Sequence, residues 1–191
     1  MPIPVVGQNA GVDELLRSLA RGVVVGALVS LLALAVVLVR SVMGGAVFPA
    51  RGALAFPVPD APSRELRGSF HEPRGDRLHA AVDIPAPRGA RVVAVSDGTV
   101  ARLGEGGNAG LSIDLLADGY CFFYAHLEAL SPGLSEGARV ERGETLGTVG
   151  TSGNAAAAAP HLHFAVRRLT GAQDCWAGEP VDPAPLLPGD P

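Results

Sequence analysis

Leu111-Ser112-Ile113-Asp114-Leu115-Leu116-Ala117, Asp118-Gly119, Tyr120-Cys121-Phe122-Phe123-Tyr124-Ala125-His126-Leu127: two largely apolar runs are separated by a two-residue Asp-Gly. Asp-Gly between such runs predicts a β-hairpin, because both residues of its tight turn need positive φ. The pattern recurs. Arg91–Ser96 and Thr99–Leu103 flank Asp97-Gly98, which predicts another hairpin turn. Val140–Val149 carries two short strands around Arg142-Gly143, and His161–Arg168 is the last clear strand. Short strands at this spacing, in a chain with 25 Gly and 16 Pro, predict an all-β antiparallel sandwich or barrel rather than a helical bundle or parallel sheet.

The chain has 191 residues and a net charge of -4, which gives no electrostatic case for nucleic acid. All 15 basic residues are Arg. The two cysteines, Cys121 and Cys175, are too few for a Cys-rich zinc module, but an oxidising compartment would allow one disulfide.

Residues 22–39 are apolar without a charge, bounded by Arg21 and Arg40. As a helix they would extend about 27 Å, close to the hydrocarbon thickness of a bilayer. The run exceeds a usual signal-peptide core and follows a long leader, so the expectation is an uncleaved single-pass transmembrane helix. The alternative is secretion after signal cleavage, with Gly44 and Ala46 as small residues at plausible cleavage positions. Prolines and glycines then break any regular pattern. The expected division is a short cytoplasmic segment 1–21, a membrane helix 22–39, a Pro/Gly-rich linker 40–66 and an all-β domain 67–187.

The chemistry lies in three separated pieces. In His161-Leu162-His163-Phe164-Ala165-Val166 a strand would turn both histidines to one cleft and Leu162, Phe164 and Val166 to the core. His79-Ala80-Ala81-Val82-Asp83 places His79, Ala81 and Asp83 on one face if extended, with a small residue between the polar ones. Imidazole and carboxylate are zinc ligands. Two from this stretch and one from the His161-x-His163 strand would leave a fourth position for water, the open coordination of a catalytic site. Tyr124-Ala125-His126-Leu127 adds a further histidine. On a regular strand Phe122, Tyr124 and His126 share a face, with Cys121 on the other and away from the cleft.

In order, the chain carries His79-x-x-x-Asp83, Ile84-Pro85-Ala86-Pro87-Arg88-Gly89, Asp97-Gly98-Thr99-Val100, Tyr124-Ala125-His126-Leu127, Gly143-to-Gly147 and His161-Leu162-His163-Phe164. This set resembles the lysostaphin/LytM family of zinc metallopeptidases over about Gly68 to Leu187. The resemblance implies that His79, Asp83 and His163 hold Zn2+, and that His126 and His161 are unliganded catalytic histidines beside the water and the scissile carbonyl. It implies peptidoglycan peptides, stem peptides or cross-links, as substrate. It also implies an anchor in the inner membrane with its N-terminus in the cytoplasm and the domain in the periplasm or cell envelope.

Departures from the family pattern accompany this. Ala81 stands where the family usually has Gly, and Ala165 where an acidic residue is common. Five alanines, Ala155 to Ala159, line the loop before His161. His71 follows Phe70 where Gly is frequent and reads as a surface histidine. Arg74 resembles a family arginine that orders its loop or meets substrate carboxylates. Trp176, the single tryptophan, is expected to cover the core. The competing function is a catalytically inactive envelope domain that regulates other wall hydrolases; inactive relatives typically lose the ligands, and here all five site residues are present. The stretch Gly137–Gly147 also resembles biotinyl/lipoyl carriers, but a chain without lysine cannot carry that modification.

Overall fold

A computed structural model describes residues 54–62, 65–66, 70–155, 159–171 and 174–188. The apolar run 22–39, the segment before it, the linker as far as residue 53 and residues 156–158 of the alanine loop lie outside the described residues. No described helix is long and apolar enough to cross a membrane.

The described part is all-β. Its strands are β1 (Pro73–Arg74), β2 (Arg77–Leu78), β3 (Val82–Pro85), β4 (Arg91–Val93), β5 (Gly98–Gly104), β6 (Leu111–Ala117), β7 (Tyr120–Leu130), β8 (Arg139–Val140), β9 (Thr145–Val149), β10 (His161–Arg168) and β11 (Glu179–Val181). Pairing is antiparallel throughout the described residues. β1 and β2 form a small hairpin of their own. The main sheet runs β11-β10-β7-β6-β5-β8, with β3 also on β10 and β9 joining β4 to β7. β7 serves three partners: β6 along one edge, β10 beside its first half on the other, and β9 through Leu127, Ala129 and Leu130.

The β6–β7 hairpin forms as its sequence requires. Asp118 and Gly119 take φ of 47° and 81°, and Ala117 faces Tyr120 across the turn. The expected hairpin at Asp97-Gly98 does not form. β4 pairs with β9, whereas β5 pairs with β6 and β8. Gly98 serves a close approach instead, since a Cβ there would stand 2.7 Å from the Leu116 carbonyl oxygen. Asp97 accepts a hydrogen bond from the Arg142 backbone N–H at 2.7 Å.

Leu162, Phe164 and Val166 of β10 are fully buried, as alternation predicts. Phe164 lies across from Tyr124 and Val166 from Phe122, and these four join Ile84, Val92, Leu146 and Val149 in one apolar core. The Tyr124 hydroxyl accepts the Val95 N–H at 3.0 Å, and burial pushes its phenol far up. The stretch 54–62, read as the end of the linker, packs into this core through Leu54, Phe56 and Val58. The Ala55 N–H donates to the Val95 carbonyl at 2.8 Å and Val93 donates back to Pro57 at 2.9 Å. Proline-bounded chain can dock in this way through isolated backbone bonds without any periodic pattern.

The other face of the same strands carries a smaller buried cluster of Ala81, Phe123, Ala125 and Ala165. This carpet of small side chains around one phenylalanine is the floor on which the site rests. At its far end Cys121 is bonded to Cys175, with Cα atoms 5.4 Å apart.

Candidate metal centre

Alternation along β10 turns His161, His163 and Ala165 away from the core. The register sets His163 opposite Asp83 of β3 on one side and Ala125 of β7 on the other. Nδ1 of His163 thereby lies 3.0 Å from Oδ1 of Asp83. His79 arrives differently. β3 begins only at Val82, Ala81 is fully buried in the floor, and Ala80 takes a left-handed φ of 54°. This reversal, tied by the His79 N–H to the Glu72 carbonyl at 2.7 Å and by the Ala80 N–H to the Phe70 carbonyl at 3.0 Å, swings His79 over the sheet. An extended face shared by His79, Ala81 and Asp83 is thus replaced by a turn that delivers the same two ligand candidates.

Nε2 of His79 stands 3.2 Å from Nδ1 of His163 and 3.3 Å from Oδ1 of Asp83. Donor atoms about 2 Å from a tetrahedral zinc ion stand roughly 3.3 Å apart. The two nitrogens and one oxygen therefore outline one face of such a tetrahedron, and the donor set fits the ion. Nδ1 of His79 is buried without a hydrogen-bond partner among the described residues. Burial holds the His79 imidazole below its ordinary value against the pull of Asp83, and His163 and Arg74 add to the lowering. For Asp83 burial acts upward, but the His163 ring within hydrogen-bond reach and the charges of His163, His79 and His161 hold it below the usual carboxylate value. Arg74 leans in from the β1–β2 hairpin, 3.7 Å from Oδ2 of Asp83 and 3.3 Å from Glu72.

His126 and His161 face this cluster, their rings 5.0 Å apart, and His126 is 5.6 Å from the His163 ring. His126 does not share a face with Phe122 and Tyr124, as a regular strand would require. Its φ is +63°, and the β6–β7 and β7–β9 registers shift beside it. The irregularity turns the side chain to the opposite side. Cys121, two residues before Phe123, belongs by alternation to the floor side; the disulfide, not the sheet face, removes it from metal chemistry.

Backbone carbonyls orient both rings. Nδ1 of His126 lies 2.9 Å from the Ser152 carbonyl, and Nδ1 of His161 lies 2.8 Å from that of Ala159. A carbonyl only accepts, so in each ring Nδ1 carries the proton and Nε2 keeps its lone pair. Burial, with the neighbouring His163 and His161, lowers the His126 value. His71 is exposed and rests on Phe70, ring centroids 5.0 Å apart.

Comparison with known proteins places this architecture. The family model for peptidase family M23 matches residues 77–183. The chain belongs to peptidase family M23. This M23 domain is 37% identical over 111 residues to the cell division protein DipM of Caulobacter vibrioides, covering 56% of this chain and 17% of that protein. It is 31% identical over 139 residues to an L-Ala–D-Glu endopeptidase of Bacillus subtilis, covering 68% of this chain and 42% of that one. The chain thus spans less than half the length of both curated relatives. Among solved structures it resembles a zinc containing peptidase from Vibrio cholerae, with 26% identity, a TM-score of 0.56, and coverage of 70% of this chain and 39% of that one.

The carbonyls of Ser152 and Ala159 carry no side-chain signal. Trp176 is 53% exposed rather than covering the core, and its ring stands against Phe123 at 5.1 Å.

Proposed function

We propose that this chain is a membrane-anchored zinc metalloendopeptidase that hydrolyses peptide bonds in bacterial peptidoglycan. The observation that carries the reading is the convergence of His79 Nε2, Asp83 Oδ1 and His163 Nδ1 within 3.3 Å of one another, with two further imidazoles facing them. These three residues would hold zinc, which when bound polarises a peptide carbonyl and acidifies water. His126, buried and held neutral, accepts at Nε2 the proton of the attacking water and passes it to the leaving amine. His161, less buried and at the rim, is the imidazole placed beside the developing oxyanion. The Ser152 and Ala159 carbonyls keep both rings aimed through the reaction.

The name of the Bacillus subtilis relative supports a peptide of mixed L and D residues as substrate. The uncharged run 22–39 supports an anchor, and the Cys121–Cys175 bond supports an oxidising location outside the cytoplasm. Digestion of purified cell-wall sacculi with the zinc-loaded chain tests the reading. Mass spectrometry should find fragments with new peptide termini, absent with His163→Ala. Intact sacculi after incubation with zinc-loaded protein would instead support the inactive, regulatory domain.

A further inference from the structure

Among the described residues only two large hydrophobic side chains are exposed, Leu78 at 49% and Trp176 at 53%. Scattered exposed hydrophobics are ordinary, but each of these two is linked to a ligand candidate. Leu78 directly precedes His79. Trp176 is connected to His163 through one residue: the Phe123 ring lies 6.2 Å from the His163 ring and 5.1 Å from the Trp176 ring, edge-on to both.

The tryptophan is held in place. Its predecessor Cys175 is bonded to Cys121 on β7, its backbone N–H donates to Asp174 Oδ1 at 2.9 Å, and the Gly178 carbonyl two residues on accepts from Arg167 at 3.1 Å. The Arg167 guanidinium lies 5.2 Å from the ring centroid and covers one side of the indole. An indole carried on backbone fixed in this way, yet half exposed, costs apolar hydration that burial in the core would avoid. A rigid, exposed aromatic beside a cleft is the usual anchor of a recognition surface, because it offers much contact area and loses little side-chain entropy on binding.

We propose that Trp176 is a specificity-determining residue: its exposed side, at the end of the His163–Phe123 row, receives the peptide flanking the bond to be cut. The proposal rests on the peptidase reading for the identity of that peptide. An extended peptide advances about 3.3–3.6 Å per residue, so two successive ring-to-ring steps place the indole within about three residues of the scissile bond. The occupant is peptide rather than glycan, because the platform continues the floor of the metal site. The Cys121–Cys175 bond holds the platform, so breaking it should blunt recognition without touching the ligands.

Trp176 is the single tryptophan of the chain, so its fluorescence reports on this surface alone. Metal-free full-length protein is titrated with lysozyme-solubilised peptidoglycan, and with the same glycan stripped of its peptides by an amidase. The expected result is a saturable emission change with peptide-bearing fragments only. In the zinc-loaded protein Trp176→Ala should raise KM about tenfold with kcat within about twofold, Trp176→Phe should recover most of the loss, and zinc content should not change. Equal responses to peptide-bearing and stripped glycan, or an unmoved KM for Trp176→Ala in protein that cleaves sacculi, would overturn the proposal. If the wild-type chain cleaves nothing, the peptidase reading fails, while the fluorescence titration still decides whether Trp176 meets peptide.

Discussion

Tyr124 and His126 are two residues apart on one strand and point to opposite sides of the sheet. Tyr124 lies in the core, its ring 5.2 Å from Phe164, while His126 faces His161 at 5.0 Å. The cause is local: His126 adopts φ of +63°, a conformation that costs a non-glycine residue of order 1 kcal/mol or more and persists only where surroundings enforce it. Here they do. The His126 N–H donates to Ala109 at 2.9 Å, its carbonyl accepts from Gly150 at 3.0 Å, and its ring is held by Ser152.

The loop that grips His126 depends on Gly153. Its φ is +70°, and a Cβ there would run into the Asn108 carbonyl oxygen. Gly153→Ala should therefore lower stability by about 1–3 kcal/mol. It should also reduce cleavage by roughly tenfold or more, because the Ser152 carbonyl that orients the imidazole moves with it. Urea unfolding and sacculus digestion measure the two effects separately.

Ala165 stands where an acidic residue is common in the family, and the structure accounts for the alanine. It is buried opposite Phe123, within the cluster of Ala81, Phe123 and Ala125. A carboxylate placed there would lose its hydration in a cluster of alanines and one phenylalanine. Ala165→Asp should destabilise the fold by about 1–3 kcal/mol and leave the three ligand candidates in place. Equal or greater stability in denaturant would show that this floor is not the apolar layer described.

Burial depresses both His79 and His126 below their ordinary value of 6.5. Above that pH both rings are neutral in the folded and unfolded chain. As pH falls through 6.5 the unfolded chain takes up protons first, so stability is lost progressively until the lower folded values are reached. Metal-free protein should accordingly show a melting temperature that declines from pH 7 to pH 5, with a shallower decline for His126→Gln. A flat or rising profile would contradict the burial of these rings.

Much of this was legible in the chain, and the exceptions have identifiable causes. The strict alternation of His161 to Val166 forces its two faces, and Asp118-Gly119 allows little but a tight turn. His79 and His126 also reach the site, but not by strand periodicity. Each depends on a left-handed non-glycine residue, Ala80 and His126 itself, which neighbouring loops impose and no local pattern announces. Asp97-Gly98 has the same local pattern as Asp118-Gly119, yet Gly98 answers a packing demand from Leu116 on the neighbouring strand β6. Residues 54–62 dock through single backbone bonds that prolines permit but composition does not reveal. Trp176, expected over the core, is exposed beside the Cys121–Cys175 bond, a pairing that sequence spacing does not reveal.

We propose that His79, Asp83 and His163 gather one zinc ion for hydrolysis and that His126 works beside it without binding it. The direct measurement is peptide release from sacculi by the full-length chain as zinc is titrated into metal-free protein, with His163→Ala and His126→Ala alongside. Release should rise to a plateau at one zinc per chain. His163→Ala should neither retain zinc nor cleave, and His126→Ala should retain one zinc while cleaving at least about a hundredfold more slowly. Release that does not depend on zinc, or a His126→Ala protein that cleaves as fast as wild type, would contradict the account.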